Sequence, residues 1–200
     1  MKKPAVFLDR DGVINRDVGY VYRPQEFQFI EGVFRLAFAV RRAGYLLIVV
    51  TNQAGVARGY YSEEDVNGAH QWLQQEFGKR GAGIDAFYFC PYHPEASVPQ
   101  YRMSSPDRKP EPGMILRAAQ DWSLDLSASV LVGDKESDIE AGRRAQVGTL
   151  VLFNLAFDAK LVALGDRYEV GSLNELAGHF EVLDPGSFRS RPFDRLRVGI

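Results

Sequence analysis

The sequence predicts an α/β fold, a doubly wound, Rossmann-like and mostly parallel sheet with helices on both faces. Three observations predict it. Short apolar runs alternate with helical patterns along the 200 residues. The runs Ala5-Val6-Phe7-Leu8 and Ile48-Val49-Val50 are continuous rather than alternating, as in strands covered on both sides. Polar residues follow each run at once, where open α/β sheets place their ligands.

The first strand is expected over Ala5–Asp9, then a helix over Val33–Arg42 and a strong strand over Tyr45–Thr51. Ser62-Glu63-Glu64-Asp65 has the pattern of a capping box, with Asp for the usual Glu, and opens a helix to about Arg80. Ala86–Cys90 is a short aromatic strand. Residues 91–112 are rich in Pro and Ser and too irregular for an element; long ordered connections of this kind are usually functional. Pro112-Gly113 starts a helix to about Trp122. Ser129–Gly133 is a buried strand, Glu136–Ala145 a helix and Thr149–Phe153 the last clear strand. From about Glu181 the pattern fades, so one domain is expected over residues 1–180 and a C-terminal tail over 181–200.

Hydrophobic residues make up 46% and charged residues 25% of the chain, the proportions of an ordinary soluble domain. A net charge of −2 gives no electrostatic reason to expect nucleic acid or an anionic membrane as partner. The lone Cys90 excludes an internal disulfide. No run approaches the ~20 apolar residues of a membrane span. Met1-Lys2-Lys3 starts like a signal peptide, but Asp9 and Asp11 cut its apolar stretch short. A cytoplasmic monomer acting on a small molecule is expected.

Four polar signals carry the chemistry. Asp9-Arg10-Asp11-Gly12 follows the first strand, with both carboxylates on one face. Thr51-Asn52-Gln53 follows the second. Arg108-Lys109-Pro110 precedes a helix, and Val132-Gly133-Asp134-Lys135, then Ser137-Asp138, closes a later strand. Singly, Thr51 reads as a turn hydroxyl, Lys109 as a surface charge and Asp134 as a helix cap. Together they converge on one sheet edge. Two close carboxylates need a cation or a shared proton, and hard oxygen ligands favour Mg²⁺. Such a set suits phosphoryl transfer: one carboxylate attacks phosphorus, and a second acid protonates the leaving oxygen and then activates water. A lysine and Mg²⁺ screen the meeting of two anions.

At Asp9-Arg10-Asp11-Gly12, Thr51, Lys109 and Gly133-Asp134 the sequence resembles the haloacid dehalogenase superfamily of phosphatases. The resemblance implies Asp9 as nucleophile and Asp11 as general acid/base, with Thr51 and Lys109 holding the phosphoryl group. It implies Mg²⁺ on Asp9, the Asp11 backbone carbonyl and Asp134. Members with a cap domain insert it after the first signal or between the second and third; neither gap here has room for one. The longer stretches Phe7–Asn15, Asp17–Val21, Val50–Gly59, Cys90–Pro94, Arg108–Pro110 and Val132–Lys135 resemble the D-glycero-D-manno-heptose-1,7-bisphosphate 7-phosphatases. The resemblance implies a step in nucleotide-heptose biosynthesis, for lipopolysaccharide, capsule or another glycoconjugate. The resemblance implies substrate contacts at Asp17, Val18, Gly19, Tyr20, Thr51, Asn52, Gln53, Ala54, Arg108 and Lys109. Histidinol-phosphate phosphatases share most of these motifs and are the alternative. A phospho-accepting receiver module also uses Asp, Thr, Lys and Mg²⁺, but its phosphorylated Asp comes from a middle strand, and the motif order here disfavours it.

One departure stands out. The family commonly holds its long loop with zinc on Cys-x-His and a later Cys-x-Cys. Cys90 remains here, but Tyr92, Ser105 and Asp107 occupy the other three positions, so no structural zinc is expected. Cys90 then reads as a buried strand-end residue and His93 as a loop residue, while His70 and His179 fall in helical patterns as surface or packing residues.

Overall fold

Side-chain alternation along the first strand sorts the core into two layers. In the computed structural model, which describes residues 2–157 and 160–183, the strands are β1 (Ala5–Leu8), β2 (Leu46–Asn52), β3 (Ala86–Cys90), β4 (Val130–Gly133), β5 (Thr149–Phe153), β6 (Val162–Leu164) and β7 (Arg167–Val170). The helices are α1 (Val33–Arg42), α2 (Ala54–Ala57), α3 (Glu63–Gly78), α4 (Gly113–Asp121), α5 (Glu136–Arg144) and α6 (Leu173–Glu181). Val6 and Leu8 face a layer built with α1, α3 and α6, through Leu36, Val40, Leu73, Phe77, Leu176 and Phe180. Ala5 and Phe7 face the opposite layer, with Met114, Ile115 and Ala118 of α4 and Ile139 and Ala141 of α5. Covered on both sides, β1 has no use for a polar residue, which explains its unbroken apolar run.

The strands form one sheet in the order β3-β2-β1-β4-β5-β7-β6, parallel except for β6 against β7. Phe7 pairs with Ile48 on one side and Leu131 on the other. The chain winds outward from β1 to β2 and β3, then returns to start β4 on the other flank of β1. The crevice between the carboxyl ends of β1 and β4 is therefore the topological switch point. Asp9 and Asp134 leave the sheet at that crevice. The connections from β1 to β2 and from β2 to β4 contribute no sheet apart from this one, so among the described residues there is no cap domain. No described helix is long and apolar enough to cross a membrane.

Observed elements differ from the expected ones mainly at their ends. β1 stops at Leu8, although the Asp9 amide still donates to the Val132 carbonyl at 3.0 Å. The Ser62 box forms as expected: the Ser62 hydroxyl accepts from the Asp65 amide at 3.1 Å, and the Asp65 carboxylate accepts from the Ser62 amide at 2.8 Å. α3 ends at Gly78, two residues early, and Gly81 at φ +69 completes the turn. Beyond β5 neither β6 nor β7 is expected from the sequence, and α6 is expected only as a helical pattern around His179, without bounds. β6 is exposed throughout and carries no alternation. α6 buries Leu173, Leu176, Ala177 and Phe180, a helical i, i+3, i+4, i+7 stripe, against the layer that includes α1. Of the tail expected over 181–200, Glu181 closes α6, and residues 184–200 lie outside the described residues.

His70 is a packing residue of α3, 4% exposed and stacked on Phe87 at 4.5 Å between ring centres. Burial, with the Arg10 charge adding to it, pulls its pKa down to about 3. The unfolded chain therefore takes up a proton near the ordinary histidine value of 6.5, while the folded chain does so only near 3. Stability through His70 is whole above that window and falls as pH drops through it. In urea titrations, His70→Gln should lose about 2 kcal/mol less stability than the parent between pH 7 and pH 5. Parallel losses in the two proteins would mean that His70 is protonated in the fold.

Candidate active site

A cleft of about 520 Å³ opens at the switch point, within the size range of small-molecule sites. Asp9, Asp11, Asp17, Gly19, Tyr20, Thr51, Asn52, Gln53, Ala54, Arg108 and Lys109 all line it, with Lys135, Ser137 and Asp138 from the fourth signal. Four separate stretches of sequence are thus brought to one edge. Val18 and Asp134 do not line this cleft; they border a neighbouring depression with Gly12, Asn154 and Leu155. Val18 is 59% exposed, so among the expected substrate contacts it is the one turned elsewhere.

Lys109 is the electrostatic centre. Its ammonium forms ion pairs with Asp9 Oδ1 at 2.9 Å and Asp138 Oδ1 at 2.5 Å and donates to the Val50 carbonyl at 2.9 Å. Asn52 clamps the Lys109 peptide from both sides, accepting from its amide at 3.1 Å and donating to its carbonyl at 3.0 Å. Burial pulls the Lys109 pKa down, but Asp9 and Asp138 outweigh it and hold the ammonium above its ordinary range. Asp9, only 6% exposed, is pushed up to about 7 by burial; Lys109 opposes that rise, and Asp138 and Asp11 add to it. One cation is not enough for this group of carboxylates.

Asp11 is held differently. Its carboxylate accepts from Arg10 Nε at 3.3 Å and Nη2 at 2.8 Å, from Asn15 Nδ2 at 2.9 Å and from Gln53 Nε2 at 3.0 Å. Arg10 is wholly buried and also donates to Gln53 Oε1 at 3.0 Å and the Val21 carbonyl at 2.6 Å. Gln53 in turn donates to Thr51 Oγ1 at 2.9 Å, and its Oε1 also accepts from the Tyr61 hydroxyl at 2.8 Å. The Thr51 hydroxyl, accepting from Gln53, keeps its own proton to donate. Gln53 is therefore spent inside the protein, fixing Thr51 and Asp11 relative to each other, although it borders the cleft.

Asp9, Asp134 and Asp138 can bring one carboxylate oxygen each to within 4.8 Å of one another. Asp134 Oδ1 is buried without a hydrogen-bond partner. Burial raises the Asp134 pKa, Lys135 lowers it and Asp138 raises it further. Hard oxygens, converging and short of positive charge, fit a divalent cation such as Mg²⁺. Backbone geometry makes room for this cluster. Gly12 has φ +102, and a Cβ there would lie 2.1 Å from Asp134 Oδ2; one on Gly133 would lie 2.1 Å from Asp138 Cβ.

Asp138 was quoted in the sequence reading but given no role. Three residues into the turn after Lys135, it reads as a cap acid, and it does accept from the Lys135 amide at 3.0 Å. Its burial to 1% and its contact with Lys109 were not visible in that spacing. The burial of Arg10, inside a motif otherwise made of ligands, was equally hidden.

The residue 91–107 loop is ordered by its own bonds. His93 N donates to the Tyr101 carbonyl at 3.1 Å and Val98 N to the Ala57 carbonyl at 3.0 Å. Arg102 Nε donates to the Ala96 carbonyl at 2.7 Å, and Asp107 pairs with Arg117 at 2.7 Å. Tyr92 packs on Tyr101 at 5.9 Å between ring centres. At the four positions of the family's zinc site stand a thiol raised by burial, a phenol, a hydroxyl that accepts from the Asp107 amide, and an Arg-paired carboxylate. This donor set does not fit tetrahedral structural zinc.

The fold and the cleft define a class, the haloacid-dehalogenase-type phosphatases. A family model described as HAD-hydrolase-like matches residues 107–153, the stretch that carries Lys109, Asp134 and Asp138. The chain is 58% identical over 152 residues to the D-glycero-alpha-D-manno-heptose-1,7-bisphosphate 7-phosphatase of Burkholderia mallei, covering 76% of this chain and 80% of that one. It is 51% identical over 152 residues to the D-glycero-beta-D-manno-heptose-1,7-bisphosphate 7-phosphatase of Vibrio cholerae, covering 76% and 82%. A crystal structure of D,D-heptose 1,7-bisphosphate phosphatase from B. bronchiseptica, complexed with magnesium and phosphate, superposes with a TM-score of 0.71 at 27% identity, covering 88% of this chain and 96% of that one. The chain belongs to the family of heptose-1,7-bisphosphate 7-phosphatases.

Proposed function

We propose that this phosphatase removes the 7-phosphate of D-glycero-D-manno-heptose 1,7-bisphosphate through an aspartyl phosphate on Asp9. The observation that carries the reading is the pairing of a buried Asp9, held on Lys109, with an Asp11 fixed beside it on the same cleft. An Asp9 oxygen attacks phosphorus, and the bond from phosphorus to the C7 oxygen breaks as Asp11 gives that oxygen a proton. Asp11 then takes a proton from water, whose oxygen attacks phosphorus; the bond to Asp9 breaks and inorganic phosphate leaves. The proton regained in the second step is the one spent in the first. Thr51 and Lys109 donate to the phosphoryl oxygens throughout, and Asp138 anchors Lys109 for that task.

Mg²⁺ would be held by Asp9, the Asp11 backbone carbonyl and Asp134, where it would offset the negative charge on the phosphoryl group. Gly12→Ala should therefore raise the Mg²⁺ concentration for half-maximal activity about tenfold or more, since its Cβ displaces Asp134 in a backbone turn that alanine resists. An unchanged Mg²⁺ requirement would remove Asp134 from the metal site. No zinc is needed: metal analysis of protein purified without added metal should find less than stoichiometric zinc, and zinc chelation should leave activity intact. Stoichiometric zinc would reverse this.

Beyond the reacting phosphate, Asp17, Gly19, Tyr20, Ala54 and Arg108 face the rest of the substrate. The planar Arg108 fork, half-buried and anchored on the Tyr92 carbonyl at 3.2 Å, suits a second phosphate and repels the ammonium of histidinol phosphate. The catalytic unit is the domain of residues 1–180, acting as a monomer in the cytoplasm and supplying heptose for lipopolysaccharide or capsule. Light scattering tests the first point, and loss of heptose from those polymers on gene deletion tests the last. The decisive assay is kcat/KM over both heptose-bisphosphate anomers, small sugar phosphates and histidinol phosphate. A heptose bisphosphate should lead; a preference for histidinol phosphate would move the chain to that activity.

A further inference from the structure

Tyr20 is an unusual wall for a cleft. Its backbone sits at φ +51, in the left-handed region that L side chains seldom adopt, directly after Gly19 at φ +83. Two residues with positive φ in succession bend the chain there, and Tyr20 lines the cleft with 45% of the residue still exposed. A strained turn persists only when its surroundings hold it. One end of the segment is held by Asp17, which accepts from Lys135 Nζ at 2.9 Å and from the Gly19 amide at 3.2 Å. At the other end, the Tyr60 ring meets the Tyr20 ring edge-on, with centres 4.6 Å apart and planes at 72°. That is a favoured geometry for aromatic pairs.

Tyr60 itself is outside the lining of the cleft and 56% exposed. Its backbone is fixed from both directions. The Tyr60 amide donates to the Gly55 carbonyl at 2.9 Å, and the Ser62 capping box begins two residues later. A large ring kept so exposed adds little to the core, yet it sits against the one cleft residue whose backbone is strained in this way.

We infer that Tyr60 is a positioning residue, whose ring holds Tyr20 against the cleft and so sets KM for sugar phosphates without touching the reacting phosphoryl group. The inference rests on the proposed reading of the cleft as a sugar-phosphate site. A small ester that fills only the phosphoryl end does not reach Tyr20, so its hydrolysis is insensitive to Tyr60.

The test is steady-state kinetics of the full chain and of Tyr60→Ala, Tyr60→Phe, Tyr20→Ala and the Tyr60→Ala/Tyr20→Ala double variant. The substrates are the preferred heptose bisphosphate and p-nitrophenyl phosphate. Tyr60→Ala should raise KM for the sugar about three- to tenfold, the size of one ring contact, with kcat on both substrates and KM for the small ester unchanged. Tyr60→Phe should match the parent, because the ring edge and not the hydroxyl makes the contact. The double variant should be no worse than Tyr20→Ala, since both act through one wall. Equal losses on both substrates, a Tyr60→Phe as impaired as Tyr60→Ala, or additive effects would each overturn the inference. If Tyr60→Ala folds poorly, Tyr60→Leu takes its place with the same expectations. A parent enzyme that rejects both heptose anomers contradicts the proposed function instead; the comparison then runs on its best sugar phosphate and decides by the same split.

Discussion

Asp9→Asn should abolish turnover, with kcat down on the order of 10⁴-fold or more, because an amide cannot attack phosphorus. Its fold should be intact and no less stable. The amide is isosteric, its oxygen can still accept from Lys109, and the substitution removes a charge that burial and, less strongly, the neighbouring carboxylates already push toward protonation. Asp11→Asn should be milder, a loss of ~10²–10⁴, as for other general acid/base groups. The two variants differ in kind. Rapid quench with labelled substrate should trap a phosphoenzyme with Asp11→Asn and none with Asp9→Asn. Phosphoenzyme in Asp9→Asn would mean that another side chain is the nucleophile.

Lys109→Met should be the most damaging substitution for activity and stability together. Lys109 is 4% exposed, and its ammonium is the direct counter-charge to Asp9 and Asp138. Removing one partner of a buried ion pair typically costs about 3–5 kcal/mol, because the other charge is left uncompensated. Without added Mg²⁺, Asp9 loses the charge that opposes its rise, so its folded pKa climbs further above the unfolded value. Stability of the variant should then increase relative to the parent as pH falls from 7 to 5. Urea midpoints at the two pH values read this directly. A constant difference between variant and parent would show that Lys109 is not what opposes protonation of Asp9. Activity should fall with stability, since Lys109 is also a donor to the phosphoryl group.

The central strands were legible in the sequence because burial on both faces writes itself as continuous apolar runs, and ligand-bearing residues follow those runs immediately. The edge was less legible. β6 buries nothing, and β7 shows its alternation only once β5 is known to be its neighbour. Within the site, residue types and order announced the phosphoryl chemistry. The supporting network stayed hidden because it depends on three-dimensional approach. Arg10 has no role of its own in the sequence motif, and Gln53 reads there as a substrate contact. Asp138 has no role in the sequence motif; in the fold it accepts from the Lys135 amide and also holds Lys109. The ordering of the long loop without zinc was unreadable for the same reason. One of its ties, from Val98 to Ala57, runs to a residue far from it in sequence.

Phosphorus NMR of a multiple-turnover reaction on D-glycero-D-manno-heptose 1,7-bisphosphate with Mg²⁺ is the most direct measurement of the whole. The C7 phosphate resonance should decay into inorganic phosphate over many turnovers while the C1 resonance remains, leaving heptose 1-phosphate. Loss of the C1 phosphate, a single burst without turnover, or no release from either anomer would contradict a 7-phosphatase working through Asp9.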